Sequence, residues 1–365
     1  MLLTTCFSWT EKVLEEELRN KWYTITDIFD TWVICRWDLH DAIFLNKTLR
    51  TANKIYFNVQ CTIANDFDNL FLQTWKIQRN KYLSLYQNFC VILTGKSFRL
   101  KSNKVAQKLI HKSILKNLYG NQYVRFNSSE QIEIRVAIYN NDVNYRLNTT
   151  WRWLHERWIE RENTHAPIKE NIAYSLLSLA WRTPKYRLFD PFCWSWTILR
   201  EAWWSMNTTY YHYRTSFALT QFPTIINNYD IWMLTKKPNY DDYNTDICLF
   251  WSDIDQKSIN IAKKNLSNAN VLIFTKFTKQ SYQYAFAMTR PGDFVITNPP
   301  YNKRLSNWNI SYSHIFSLYT SYKLNWWFIT REKYQTSKIP NNRKSIKLKN
   351  WGLDCRFYFT KKLYK

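Results

Sequence analysis

The chain has 365 residues, enough for two or three domains that each bury a core of their own. Apolar residues make up 45% and charged residues 22%, ordinary for a soluble globular protein, and no apolar run approaches the roughly 18 residues of a membrane span. Fifty-one Lys and Arg against 28 Asp and Glu give a formal charge of +23, which favours a polyanionic partner, nucleic acid first among them; an AT-rich, lysine-favouring codon bias is the alternative source of that excess.

The opening stretch, "MLLTTCFSWTEKVLEEELRN", turns acidic within about a dozen residues, unlike a signal peptide. The seven cysteines are scattered, with no C-x-x-C pair and no metal-ligand spacing, which points to reduced thiols in the cytoplasm and to no metal site. In residues 1–45, "EKVLEEELRNK" predicts a helix with Val13, Leu14 and Leu18 on one face, followed by strands "ITDIF" and "WVICRW". In residues 46–147 the pattern predicts a helix over "DAIFLNKTLRTANKIYF", a strand "NFCVILTGKSF", a long helix and a strand "IEIRVAIYN". Along the long helix Lys104, Lys108, Lys112 and Lys116 recur every four residues, with Leu109, Ile110, Ile114 and Leu118 on another face and Gly120 at the C-cap position. Such a stripe is either a solvated face or a set of phosphate contacts; with Lys96 and Arg99 just before it, it is the candidate nucleic-acid-binding surface.

A polar, strand-poor linker, "NTTWRWLHERWIERENTHAPIKEN", precedes a change of pattern. From there strands and helices alternate: "YRLFDPFC", then "TILREAWW"; "DICLFWSDID", then "QKSINIAKKNLSNAN"; and "DFVITNPPY". Residues 207–245 interrupt this order without clear periodicity. Strand–helix alternation predicts a parallel, doubly wound sheet with its ligand at the carboxyl ends of the strands. Three strand ends then share one rim: Asp190, Pro191, Phe192, Cys193, Trp194, Ser195, Trp196 and Thr197; Asp253, Ile254 and Asp255; and Asn298, Pro299, Pro300 and Tyr301.

Each stretch suits a role. An acidic residue ending the second strand, here Asp253, can accept from ribose hydroxyls, whereas Asp255 is also placed to cap the next helix. The Asn298 side-chain oxygen and the Pro299 carbonyl can both accept from one exocyclic amino group, orienting its lone pair, while Tyr301 stacks on the flat base. A bare N-P-P-Y can be a simple turn, but its place behind the other two rim stretches argues for the site. Cys193 carries no mark of an activated nucleophile.

In these motifs and over nearly its whole length the chain resembles the THUMP-domain RNA guanine-N2 methyltransferases, the class that modifies large-subunit ribosomal RNA. The family stretch D-T-S-G-x-G-L-H-K-R-G-Y-R stands here as "NTTWRWLHERWIER", D-P-F-C-G-S-G-T as "DPFCWSWT", G-S-D-I-D as "WSDID", T-N-P-P-Y-G-x-R-L as "TNPPYNKRL" and N-G-G-L-E-C as "NWGLDC". The resemblance implies a ferredoxin-like part (1–45), a THUMP RNA-binding domain (46–147) and a Rossmann-like α/β methyltransferase domain (148–365). It implies S-adenosylmethionine as cofactor, held by Asp190 to Thr197, Asp253 to Asp255 and Asn298, with Asn298 to Tyr301 catalytic on a flipped guanine of ribosomal RNA. A tRNA guanine-N2 methyltransferase shares these motifs. An inactive RNA-binding protein is the reading from another class, and the THUMP-like first half argues against a DNA amino-methyltransferase. The family's acidic residue near the end of the third strand is missing from "VLIFTKFTKQ", where Lys276 is the nearby charge, and Asn302 and Lys303 stand where Gly and Glu are common.

Most other departures are one substitution, Trp for Gly: Trp9, Trp32, Trp37, Trp151, Trp153, Trp158, Trp194, Trp196, Trp251 and Trp351. The chain has 4 glycines and 19 tryptophans, which together approach the usual glycine share of about 7%. A single codon read two ways accounts for this: UGA is one base from the glycine codon GGA, and bacterial lineages differ in reading it as glycine or tryptophan. The motif positions are therefore expected to be glycine in the native protein, with Trp75, Trp181 and Trp327 as genuine aromatics. Taken literally, indoles at 194 and 196 are expected to clash with the turn or fill the cofactor pocket.

Overall fold

The computed structural model describes the chain except for residues 86, 98, 123–130, 158–167, 181–186, 194–195, 208–216, 229–248, 269–274, 300–310, 332–342, 351–352 and 361–365. Two compact units emerge: Met1–Cys6, Leu14–Leu154 and His212–Lys237 form one, and Phe7–Val13, His155–Tyr211 and Pro238–Lys365 the other.

The first unit carries strands β1 (Leu2–Thr5), β2 (Ile25–Phe29), β3 (Trp32–Cys35), β4 (Lys54–Ile63), β5 (Phe89–Lys96), β6 (Ile132–Tyr139) and β7 (Asp142–Asn148) in the order β2-β3-β1-β4-β7-β6-β5. Neighbouring strands run antiparallel except β5 and β6, which are parallel and need a crossover. That crossover is the lysine-striped helix (Asn103–Tyr119), whose Ala106, Ile110 and Ile114 are buried while the four lysines are exposed. Ser102 caps its start, and Gly120, at φ 63, ends it by donating to the Lys116 carbonyl. Among the described glycines Gly95 is the one where no side chain fits: its φ is +89 and a Cβ would lie 2.0 Å from the Ile138 carbonyl oxygen.

Helix α1 (Glu11–Arg19) buries Val13, Leu14 and Leu18 as its spacing predicts. The next predicted helix is half wrong. Helix α2 (Asp41–Thr48) stops before an extended Leu49, and "KIYFNVQCTI" is strand β4, paired with β1 on one side and β7 on the other. Ladder partners on both edges outweigh local helix preference. Helix α3 (Phe67–Trp75) packs on the striped helix, α4, which accounts for Ser113 Oγ donating to the Phe71 carbonyl at 3.0 Å. Part of the unreadable 207–245 stretch also belongs here: Phe217, Leu219, Phe222 and Ile225 lie in this unit's apolar core.

The second unit contains α5 (Glu170–Ala180), β8 (Leu188–Asp190), α6 (Thr197–Asn207), β9 (Leu249–Asp253), α7 (Gln256–Asn268), β10 (Thr275–Lys279), α8 (Tyr282–Ala287), β11 (Phe294–Thr297), α9 (Tyr312–Ser321), β12 (Asn325–Arg331), β13 (Arg343–Asn350) and β14 (Leu353–Thr360). Its strand order is β10-β9-β8-β11-β12-β14-β13. The first five are parallel, as alternation predicts; the β13–β14 hairpin adds an antiparallel edge that the sequence did not suggest. The chain runs outward from β8 through β9 to β10, then returns to the other side of β8 as β11. The strand order thus reverses between β8 and β11, the place where open α/β sheets leave a crevice.

Tryptophan occupies backbone that usually falls to glycine. Trp9, Trp22 and Trp196 have φ of 80, 67 and 45. Trp22, 90% exposed, stands at the end of α1: its N–H donates to Arg19 O, and the next N–H, of Tyr23, to Leu18 O. That pair of bonds is the Schellman motif, and its left-handed position is most often glycine. Asn140, Lys323 and a few others also adopt positive φ, but an indole pays the steric penalty with nothing local to hydrogen-bond.

Candidate functional site

The β8–β11 crevice brings together the described members of the predicted rim. β8 ends at Asp190, which is buried and accepts the Phe192 N–H at 3.0 Å on Oδ1, turning the chain sharply away from the sheet. Burial pushes its carboxyl up to about 7, against the pull of the Phe192 N–H and helped by the charge of Asp253. Pro191 and Phe192 continue the turn. Cys193 is fully buried, and burial together with the Asp253 and Asp190 charges pushes its thiol well above its ordinary value, so it is no nucleophile. Its carbonyl accepts the N–H of Trp196, and Thr197 begins α6. Trp194 and Ser195 lie outside the described residues.

Trp196 corrects one expectation. Its indole does not reach toward the strand ends; it is buried with the Arg200 guanidinium 4.1 Å from its ring centroid. Arg200 also covers Trp204 at 4.7 Å and pairs with Glu170 at 3.2 Å and Glu201 at 3.4 Å, and Glu201 holds the fully buried Arg157 at 3.1 Å. The loop therefore stands on two arginines and two glutamates. What the indole costs is the left-handed backbone, about 1–2 kcal/mol. A second indole, Trp251 on β9, is 1% exposed, and its Nε1 has no hydrogen-bond partner among the described residues; the same holds for Trp327, which the sequence had suggested as an ordinary aromatic position.

At the end of β9, Asp253 is 8% exposed and accepts the Asp255 N–H at 3.0 Å, while its own carbonyl accepts the Gln280 N–H. Ile254 is half exposed. Asp255 takes the capping role: Oδ1 accepts from Lys257 N–H, and Oδ2 from the N–H and hydroxyl of Ser258, at 2.9–3.1 Å. Slight burial opposes its ionisation, but these bonds outweigh it and hold the carboxyl below its ordinary value.

β11 is buried from end to end, and Thr297 Oγ1 pairs with the Tyr319 hydroxyl and donates to the Trp327 carbonyl at 3.0 Å. This clamp ties the strand end to α9 and β12. Asn298 follows, half buried, then the buried Pro299. Pro300 and Tyr301, with Asn302 and Lys303, fall outside the described residues. A link missed by sequence reading joins the two sides of the crevice: Phe192 stacks on Tyr282 (centroids 5.6 Å), and the Tyr282 hydroxyl bonds His314 Nδ1 at 3.0 Å in the first turn of α9. Only proximity in space reveals such a contact.

The third strand also differs from expectation. Lys276 lies three residues before its end, and the residue level with the rim is Gln280. Gln280 and Lys276 line a cavity of about 70 Å³ beside the strand ends with Asp190, Phe250, Ser252 and Thr278. Ser252 Oγ is buried there with no partner among the described residues. An unpaired hydroxyl, two carboxylates at adjacent strand ends and a carboxamide fit a ribose-bearing ligand in donor chemistry, so the described residues suit a nucleoside cofactor. Among the described residues no His, Cys, Asp and Glu cluster could hold a metal, and no helix is long and apolar enough to cross a membrane.

In the first unit Lys96, Arg99, Lys104, Lys108, Lys112 and Lys116 are all exposed, the last four along α4, and Arg99 donates to Asn65 at 3.1 Å.

Residues 157–319 match the family model described as "RMKL-like, methyltransferase domain". The putative RNA methyltransferase YpsC of Bacillus subtilis is 28% identical over 316 residues, 83% of this chain and 80% of that protein. The ribosomal RNA large subunit methyltransferase K/L of Shewanella pealeana is 24% identical over 84% of this chain; the chain spans only 45% of that longer relative. Among solved structures, SMU.472, described as a putative methyltransferase complexed with SAH, superposes with a TM-score of 0.81 at 23% identity, over 98% of this chain and 97% of that one. The α/β fold of this chain is that of the Rossmann-like methyltransferases.

Proposed function

We propose that this protein transfers a methyl group from S-adenosylmethionine to the exocyclic N2 of a guanine in RNA, ribosomal RNA first. The observation that carries the reading is the crevice at the strand-order reversal, with Asp190 and Asp253 at the ends of β8 and β9 and Asn298–Pro299 at the end of β11. The cofactor supplies an electrophilic methyl on a sulfonium. Asp253 suits its ribose and the Asp190 turn its carboxylate end. On the other side, the Asn298 carboxamide and Pro299 carbonyl accept from the target amino group, holding its lone pair in line; positioning, rather than a strong base, supplies the rate. The names of YpsC and of the K/L enzyme support an RNA substrate. The +23 charge and the exposed lysines of α4 support the first unit as the part that grips it.

The loop belongs to this reading with glycine at 194 and 196. Trp9, Trp22 and Trp196 in left-handed backbone support the one-codon explanation of the tryptophan surplus. Mass spectrometry of the native protein reads these positions directly. The activity test uses protein with glycine at the motif positions, radiolabelled S-adenosylmethionine, and ribosomal RNA and tRNA in parallel. N2-methylguanosine in digested ribosomal RNA is the expected product, and Asn298→Ala is expected to lose at least about a hundredfold in rate. A different methylated nucleoside, or full activity of Asn298→Ala, overturns the proposal.

A further inference from the structure

The first unit holds a charge that none of its described residues neutralises. Arg79 opens a short 3-10 turn, Arg79–Lys81, after α3, and its side chain is 4% exposed. Nη1 and Nη2 are both buried with no hydrogen-bond acceptor among the described residues, and no carboxylate pairs with the group. The guanidinium lines a cavity of about 30 Å³ whose other walls are largely apolar: Val59, Ile77, Ile114, Ile134 and Leu147, with the ring of Tyr145. The Tyr145 hydroxyl is engaged by Thr74 at 2.6 Å, and burial raises its pKa, so it offers no negative charge. Burial pushes the guanidinium itself down to about 10, still protonated at neutral pH.

A desolvated cation in an apolar wall is strongly unfavourable unless a counter-charge joins it. A space of this size exceeds the roughly 10–15 Å³ needed for one water and is enough for a compact ion. We infer that the cavity beside Arg79 is a binding site for a monovalent inorganic anion of halide size, held by the two Nη groups. Such an ion makes the stability of this unit depend on halide and not merely on ionic strength.

The test melts the full chain in potassium chloride and in potassium gluconate at equal ionic strength, gluconate being too large for the cavity. Saturable stabilisation by chloride of about 2–4 °C over gluconate is expected, absent in Arg79→Met. Arg79→Met is also expected to melt above the parent protein in gluconate, because it removes an uncompensated charge. Crystals of the parent chain grown with bromide are expected to show an anomalous peak within hydrogen-bond reach of Arg79; this holds the question open to decision if Arg79→Met fails to fold. Equal melting in chloride and gluconate, or no bromide peak at Arg79, overturns the inference.

Discussion

Arg200 and Arg79 are both buried, and the chain treats them differently. Arg200 sits between two indoles and two glutamates, with Arg157 drawn into the same network, every charged side chain at most 1% exposed. Arg79 has apolar walls and no carboxylate among the described residues. The first arrangement builds a foundation under the turn after β8 from the protein's own charges; the second leaves its charge open to the anion proposed above. A buried guanidinium thus marks either a positioning network or a binding site, and what faces it decides which.

The sharpest way to break this contrast is Glu201→Gln. It leaves Arg157 and Arg200 undercompensated, and a loss of about 3–5 kcal/mol in urea unfolding is expected; a loss under 1 kcal/mol would put the two arginines on the same footing. Asp190 extends the contrast to a buried acid. Its carboxyl moves from the ordinary 3.8 to about 7, so the folded state holds a proton that the unfolded chain releases between those values. The stability this contributes is complete below about pH 4 and is lost as pH rises through about 7. Asp190→Asn is expected to flatten that slope in melts taken from pH 4 to 8, and an unchanged slope would assign it elsewhere. Cofactor affinity by calorimetry follows: glycine at 194 and 196 is expected to restore S-adenosylmethionine binding that the tryptophan form lacks. Equal affinity of the two forms would separate the loop from the strain at Trp196. The smallest effect on stability belongs to the exposed cations. Lys108→Gln is expected to leave melting within about 0.5 kcal/mol and to reduce the salt slope of RNA binding by about 1; an unchanged slope removes α4 from the RNA surface.

Much of the fold was readable in advance where a pattern is local. The apolar face of α4, the capping glycine at 120, and the order of strands ending at Asp190, Asp253 and Thr297 all follow from neighbours within a few residues. The start of β4, Lys54–Phe57, reads as the end of a helix in sequence because its partners, β1 and β7, lie some fifty to ninety residues away. The β13–β14 edge and the docking of Phe217 to Ile225 in the first unit depend on distant surfaces in the same way. At the site, Asp255 was ambiguous until Ser258 and Lys257 were seen to occupy both oxygens. Gln280 and the Phe192–Tyr282–His314 link had no motif to announce them.

The sequence by itself determined which carboxylate, carboxamide and proline groups stand at the rim, because these are properties of residue type and of the backbone beside them. It also exposed the tryptophan surplus, a matter of counting. Tertiary structure alone decided that β8 and β11 are neighbours, that the Trp196 indole packs on Arg200, and that Arg79 meets no counter-charge among the described residues. Those facts depend on which segments share a buried space, and burial is settled only when the whole chain has chosen its partners.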